Sequence, residues 1–375
     1  MAVQQKLLVA TRKGLFTVVR DRRWHIEGPT FRGDNCSAVL EHPGNGALYT
    51  ALDHGHFGAK LHRSMDGGAN WQEIAPPQYP PKPDDEEDWV DMHGRTIPHS
   101  LLSIWCLEAD HPQRPSGLWC GTIPGGLFHS ADGGDSWCLI EGLWNDPGRR
   151  RWFGGGADYP GIHSVCVHPE DPARVRVAVS CGGVWESTDT GRTWTCLGEG
   201  WRAEYMPPEQ AADPGIQDVH RLVQSPTSPG VLWAQHHNGI FHSRDDGRHW
   251  TELEGVTPSA FGFPVAVHPT DPETAWFVPA DKDERRIPRE GRVVVNRTRD
   301  GGRSFETLTQ GLPQEHAYDL VYRHGLDVGA DGETLALGST TGSLYVSEDA
   351  GDEWQCLSEH LPPIYALRFA PAYRA

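Results

Sequence analysis

Residues 187–194 of this 375-residue chain read STDTGRTW, and the same eight-residue pattern returns along the sequence. It consists of Ser or Thr, any residue, Asp, any residue, Gly, two further residues, and Trp or Phe. Six copies occupy residues 64–71, 130–137, 187–194, 243–250, 298–305 and 347–354. Their aspartates are 66, 57, 56, 55 and 49 residues apart. A motif repeated at such a period predicts a repeat protein, with one copy in each structural unit.

The residue types of the motif predict a turn between two strands. Ser or Thr ends one strand, and Asp accepts hydrogen bonds from backbone N–H groups that the strand ladder leaves unpaired. Gly adopts backbone conformations that a side chain would forbid. Trp or Phe begins the next strand and packs between neighbouring sheets.

The repeat around Asp189 predicts four short strands, at residues 161–169, 174–180, 184–186 and 194–197. Four antiparallel strands with turns between them are typical of one propeller blade. Further inner strands are predicted to begin near Cys36, Ser103, Asp218, Gly262 and Tyr318. These units together give six complete blades.

The two ends of the chain predict a seventh blade. Residues 7–10, 14–17 and 24–26 look like three strands that lack an inner partner, and residues 365–370 supply one. Pairing the ends closes the ring and leaves no exposed sheet edge. We therefore predict an all-β fold, a single seven-bladed β-propeller domain over residues 1–375.

With six copies of the motif, the chain resembles the Asp-box (BNR) β-propellers, a sialidase-like and glycosyl hydrolase-like group. The resemblance implies the propeller fold, and it implies little about the reaction because the motif lies on the outer hairpin. Similarity to sialidases would require an early Arg-Ile-Pro motif, but here that motif is 286–288, in a late charged insertion. The loops at 202–205, 261–264 and 314–318 are similar to bacterial single-propeller proteins with no established reaction.

Composition excludes some classes of partner. The formal charge of −18 disfavours nucleic acid and anionic membranes, because phosphate contacts need a basic surface. The mean hydropathy of −0.53, with no stretch of eighteen apolar residues, argues against a membrane span. The eight cysteines include no CxxC pair, and the N-terminus has no signal-peptide core. We expect a cytoplasmic protein with reduced, buried thiols.

Twenty histidines raise the question of a metal site. Four of them precede Pro at the ends of inner strands, which indicates a structural role: His42, His111, His168 and His268. His163 and His220 occupy the same place in consecutive inner strands, and His237 lies in a connection on the same face. Three imidazoles around an open position would suit a divalent transition metal such as Zn, Cu or Fe. The alternative is a hydrated channel in which these histidines bond only to their neighbours.

Long loops bring further polar residues to this face, where functional groups often lie. Candidate catalytic residues are Glu315 and Glu204 as acid or base, with Arg202 and Tyr318 assisting. A third charged loop carries Asp281, Asp283 and Glu284. Candidate substrate-binding residues are Trp144, Phe261, Phe263, His316 and Gln235.

Three functions follow as hypotheses. The first is an enzyme acting on a small polar substrate at the channel mouth, with or without a metal. The second is a sialidase-like or other glycoside hydrolase or carbohydrate-binding propeller, for which two carboxylates would be needed. The third is a non-catalytic protein-binding or assembly scaffold, which predicts a broad apolar or charged patch on the rim.

Overall fold

The computed structural model describes residues 5–283 and 285–371. Within these residues the strands form seven four-stranded antiparallel sheets. In order from the channel outward, blade 1 contains Cys36–Glu41, Leu48–Asp53, Ala59–Ser64 and Gln72–Ile74; blade 2 contains Ser103–Ala109, Leu118–Ile123, Leu127–Ser130 and Cys138–Leu139. Blade 3 contains Ile162–Val167, Val175–Val179, Gly183–Ser187 and Thr195–Leu197; blade 4 contains Val219–Gln224, Leu232–His236, Ile240–Ser243 and Thr251–Glu252.

The remaining blades complete the ring. Blade 5 contains Gly262–Val267, Ala275–Pro279, Val295–Thr298 and Glu306–Leu308; blade 6 contains Leu326–Val328, Leu335–Gly338, Leu344–Ser347 and Gln355–Ser358. Blade 7 contains Ile364–Phe369, Gln5–Thr11, Gly14–Arg20 and Trp24–Thr30. Each inner strand contacts the inner strand of the next blade, and that of blade 7 contacts that of blade 1. The predicted seven-bladed propeller, closed by pairing the two ends of the chain, is confirmed.

The repeated motif forms the turn between the third and fourth strands of six blades. In every copy the Ser or Thr hydroxyl donates to the Asp carboxylate over 2.7–3.0 Å and accepts from the Gly N–H over 2.7–2.9 Å. The same Asp accepts the N–H four residues later, as Thr193 shows for Asp189 (2.9 Å). These bonds satisfy backbone donors that the ladder cannot reach.

Large apolar side chains fill the space between blades. Trp119, Trp152, Trp233 and Trp276 are all 1% exposed or less. Trp119 and Trp152 share one apolar cluster, Trp233 lies in a second and Trp276 in a third, and each cluster joins two neighbouring sheets. No blade could bury both of its faces alone, so packing between blades holds the ring together.

Helix is confined to short connections. One α-helical turn is described, at Glu141–Trp144; the 3₁₀ turns are Gly55–Phe57, Pro147–Arg151, Pro214–Ile216 and Arg289–Gly291. Among the described residues, no helix has the length and apolar character that crossing a membrane requires.

Two predictions need correction. The sixth inner strand begins at Leu326 and not near Tyr318, because residues 318–325 form an irregular loop along the channel, with Thr340 N–H donating to the Leu320 carbonyl (2.8 Å). All eight cysteines are free, as expected, but Cys138 and Cys356 are exposed because they lie on short outer strands.

Candidate functional site

A cavity of about 680 Å³ opens at the axis, where loops and inner strands of several blades converge. Five aromatic side chains line it: Trp105, Phe263, Tyr318, Tyr322 and Tyr365. Between these rings lie small polar side chains: Asn35, Ser37, Asp53, Ser103 and Thr340. Aromatic rings combined with convergent polar groups suit a small ligand that has both apolar faces and polar substituents.

Arg323 supplies a buried cation to this cavity. The residue is 7% exposed, and its guanidinium lies 4.8 Å from the ring of Trp105 and 5.5 Å from that of Phe263. Among the described residues, its Nε and Nη2 have no hydrogen-bond partner. Burial lowers the pKa of Arg323. A buried guanidinium without a partner is costly, so this group is available to an anionic ligand.

A cluster of Asp218, His220 and His237 lies beside the cavity. The 3₁₀ turn Pro214–Ile216 leads the chain to Asp218 at the start of the blade 4 inner strand, and the His237 N–H donates to the Asp218 carbonyl (3.0 Å). Asp218 Oδ2 lies 3.4 Å from His220 Nε2 and 3.4 Å from His237 Nδ1. Asp218 and His220 are buried, and His237 is mostly buried.

The far nitrogen of each imidazole has its own partner. His220 Nδ1 lies 2.6 Å from the Gly262 carbonyl, and His237 Nε2 lies 3.2 Å from Asp283 Oδ1. Each ring therefore directs its other nitrogen at Asp218. The ring of Phe263 stacks on His220 at 4.6 Å, which separates the cluster from the cavity by one aromatic layer.

The electrostatics of the cluster favour an ionised carboxylate at Asp218. Burial opposes ionisation of Asp218, but its attraction to the nearby His220 and His237 outweighs burial and holds the pKa of Asp218 well below the usual range. Burial lowers the pKa of His220 despite the opposing attraction of Asp218. A carboxylate and two imidazole side chains are ligand types suited to a metal ion.

His163, the third predicted metal ligand, is not part of this cluster. Its Nε2 lies 2.7 Å from the Val219 carbonyl, and its Nδ1 lies 3.0 Å from Ser164 Oγ. Both ring nitrogens are thus used within the protein. The histidines before proline hold turns, as predicted, since the Nδ1 of each accepts a backbone N–H two residues later: His42, His111, His168 and His268.

The loop that carries Gly155 and Gly156 lies against both the Asp218 cluster and the guanidinium of Arg323. A Cβ on Gly155 would lie 3.0 Å from Asp218 Oδ2 and 2.6 Å from Cys181 Sγ. A Cβ on Gly156 would lie 2.9 Å from Arg323 Nη2. The loop can approach these groups closely because it carries no side chains at these two positions.

The predicted catalytic residues do not come together. Arg202 pairs with Glu252 (2.8 Å) and Glu204, and Glu204 also pairs with Lys282 (2.9 Å), all on the exposed surface. Glu315 is exposed as well, whereas Tyr318 lines the cavity.

The predicted substrate-binding residues divide similarly. Phe263 lines the cavity, and Phe261 packs against His220 (5.4 Å). The ring of Trp144 is covered by the Arg149 guanidinium at 3.6 Å. Gln235 is buried and its amide donates to three backbone carbonyls, while His316 is exposed. In the third charged loop, Asp281 pairs with Arg289, Asp283 contacts His237, and Glu284 lies outside the described residues.

Two site residues were not among the sequence predictions. Asp218 could have been found, because it stands where the equivalent strand of blade 3 has Gly161, two residues before a histidine that both blades share. Arg323 had no such indication. It lies in the loop that was expected to be a strand, and it faces the axis because that loop is irregular.

Comparison with known proteins gives distant similarity. No protein-family model matches the chain. A xyloglucanase of Hypocrea jecorina is 25% identical over 167 residues, covering 41% of this chain and 18% of that protein. An oligoxyloglucan-reducing end-specific xyloglucanase of Emericella nidulans is 23% identical over 230 residues (54% and 27%), and a Paenibacillus xyloglucanase is 22% identical over 264 residues (60% and 24%). The chain therefore spans about a quarter or less of these relatives.

Solved structures share the fold. An ancestral GH74 enzyme superposes with a TM-score of 0.57 at 14% identity, covering 90% of this chain and 38% of that one. YCF48 from Cyanidioschyzon merolae superposes with a TM-score of 0.53 at 12% identity, covering 88% and 87%. At these identities the likeness concerns the propeller architecture alone.

Proposed function

We propose that the axial cavity binds a small saccharide that carries a carboxylate, in a propeller of the glycoside hydrolase-like kind. The aromatic side chains Trp105 and Tyr322 offer flat apolar faces on which sugar rings can stack. Polar side chains at the same wall, among them Asn35 and Ser103, can exchange hydrogen bonds with hydroxyl groups. The distant similarity to proteins named xyloglucanases supports a saccharide as the ligand class.

The observation that carries the proposal is the unpaired guanidinium of Arg323. A planar guanidinium can bind a carboxylate through two parallel N–H···O bonds, which is stronger than a bond between neutral groups. Arg286 lines the same cavity and adds a second positive charge. An acidic sugar would give Nε and Nη2 of Arg323 an anionic hydrogen-bond partner, whereas a neutral sugar would not.

The residues of the cavity support binding of a saccharide better than they support hydrolysis of a glycosidic bond. Most glycoside hydrolases use two carboxylates that flank the scissile bond. Asp53 is the one carboxylate among the described residues that line the cavity. Cleavage of a glycosidic bond therefore stays a prediction, as does the assembly-scaffold alternative.

Isothermal titration calorimetry with glucuronate and with glucose, which match except at the carboxylate, tests the proposal. We expect wild type to bind glucuronate at least tenfold more tightly than glucose. Arg323→Met should abolish that preference, and Arg323→Lys should weaken glucuronate binding about tenfold because the planar fork is lost. Arg202→Met is the matched control, since this arginine is exposed and outside the cavity.

Equal affinity of wild type for the two sugars would overturn the proposal. Loss of the preference in Arg202→Met would do the same, because the cation responsible would then lie outside the cavity. Longer acidic and neutral oligosaccharides, with product analysis after incubation, would show whether cleavage accompanies binding.

A further inference from the structure

We propose that Asp218, His220 and His237 hold a divalent transition-metal ion, with Zn²⁺ as the first candidate. The three ligand atoms, one from each residue, lie within 4.8 Å of one another. One carboxylate and two imidazoles, with a fourth position open, match the composition of catalytic zinc sites, and the same set also suits Fe²⁺. This inference is independent of saccharide binding in the cavity.

The spacing of the ligand atoms supports an ion between them. Ligands at about 2.0–2.1 Å from a tetrahedral zinc lie about 3.4 Å from one another. The two distances from Asp218 Oδ2, to His220 Nε2 and His237 Nδ1, are both 3.4 Å. A direct N–H···O hydrogen bond would draw such atoms to about 2.9 Å. The distances in the cluster therefore match those between two ligands of one metal ion better than those of a direct hydrogen bond.

The outer contacts of the imidazoles have the form expected around a metal. Ligating histidines usually donate their second N–H to a carbonyl or a carboxylate, which fixes the tautomer. His220 has the Gly262 carbonyl in this role, and His237 has Asp283. Tyr205 adds support, since its hydroxyl accepts the Asp218 N–H (2.7 Å) and its ring packs against His237 (5.2 Å).

The surroundings would govern access to the ion. Phe261 and Phe263 contact His220 and exclude water on that side. His237 is the most exposed of the three ligands, with 14% of its side chain accessible, so entry is expected from its side. A metal held here would lower the pKa of a bound water and polarise an oxygen ligand.

The test is an equilibrium zinc titration of protein purified without a histidine tag and stripped with EDTA, read by competition with a chromophoric chelator. We expect one Zn²⁺ per chain with micromolar or tighter affinity. His220→Gln and His237→Gln should each weaken binding at least 100-fold. His163→Gln is the matched control, because it changes the same position of the preceding blade and should shift affinity less than twofold.

His237→Gln is the decisive variant, because its site is the least buried and the fold should survive; circular dichroism checks this. Substoichiometric zinc in wild type at 100 µM free metal would overturn the proposal. The proposal would also be overturned if His163→Gln weakened zinc binding as strongly as is expected for His237→Gln. Arg323→Met should retain full zinc binding, so failure of the saccharide proposal and failure of this one are distinguishable.

Discussion

Blades 3 and 4 are consecutive copies of one unit, and they agree at the rim but differ at the axis. At the outer turn, Ser187 contacts Asp189 at 2.8 Å and Ser243 contacts Asp245 at 3.0 Å. At the axial end, each inner strand carries a histidine at an irregularity of the strand ladder, His163 or His220. Each of these histidines also contacts the backbone carbonyl that begins the next inner strand.

The residues around the two histidines make the difference. Gly161 precedes His163, and the ring of Trp105 occupies the space where a side chain would project. Asp218 precedes His220, and the connection after the second strand brings His237 to its carboxylate. The outer turn thus maintains the ring, and departures from the repeat at the axial ends create the sites.

The pH dependence of stability should show the largest effect. Burial lowers the pKa of His242 to about 4 and holds the pKa of His163 well below its usual range. Both stay neutral in the folded state, while the unfolded chain takes up protons below about pH 6.5, so stability falls as pH falls. Between pH 7.5 and 5.0 the free energy of unfolding should drop by about 2 kcal/mol through His242, and by a further amount through His163.

Urea unfolding at the two pH values measures this drop. His242→Phe should remove one histidine's share, since the ring stacks on Trp233 (4.0 Å) and its Nε2 has no partner among the described residues. An equally steep drop in the variant would show that burial of His242 does not contribute to acid sensitivity.

Filling the axial end of blade 3 should be the next largest effect. The Cβ of Gly161→Ala would lie 2.4 Å from the Trp105 ring and 2.8 Å from Ile123. We expect a loss of about 3 kcal/mol in the free energy of unfolding from overpacking. A double variant with Trp105→Val should lose less than the sum of the two single changes, because space is restored. Additive losses would mean that packing against Trp105 does not explain the glycine.

The outer turns should respond alike in the two blades. Ser187→Ala and Ser243→Ala each remove a buried hydroxyl that accepts a glycine N–H (2.7 and 2.9 Å). Each change should cost about 1 kcal/mol of unfolding free energy, the usual net value of such a hydrogen bond. If the losses of unfolding free energy for the two substitutions differed by more than about 1 kcal/mol, the two outer turns would not be equivalent.

The loop that joins the two blades should be the least sensitive. Arg202→Ala breaks the ion pairs with Glu204 and Glu252, in which the arginine is half exposed. Exposed pairs contribute little, so stability should change by less than about 1 kcal/mol. Calorimetric affinity for glucuronate should also stay within twofold. A larger loss of affinity would indicate that Arg202 contributes to saccharide binding.

The repeat made the fold predictable, because one motif fixes a turn, a strand on either side and the position of an aromatic wedge. The same regularity identified the histidines before proline as structural and placed His220 and His237 on the axial face. Blade 7, which lacks the motif, was predictable because its strands needed an inner partner that the C-terminus supplies.

The site was only partly predictable. Two of the three predicted metal ligands lie together, but His163 is tied to Val219 and Ser164, a contact between blades that one strand's sequence cannot reveal. Glu204 looked like a free acid in a loop, and its ion pair with Lys282 joins residues 78 positions apart. Arg323 lies in a segment whose sequence resembled a strand, so its position at the axis depended on a loop path that no local pattern encodes.

The most direct test of the central claim, that departures from the repeat in blade 4 build a metal site, is diffraction from crystals soaked in zinc chloride. Data collected on both sides of the zinc absorption edge locate the ion by its anomalous scattering. The account predicts a peak about 2.0–2.2 Å from Asp218 Oδ2, His220 Nε2 and His237 Nδ1. A peak at His163, or no peak at the blade 4 cluster, would contradict it.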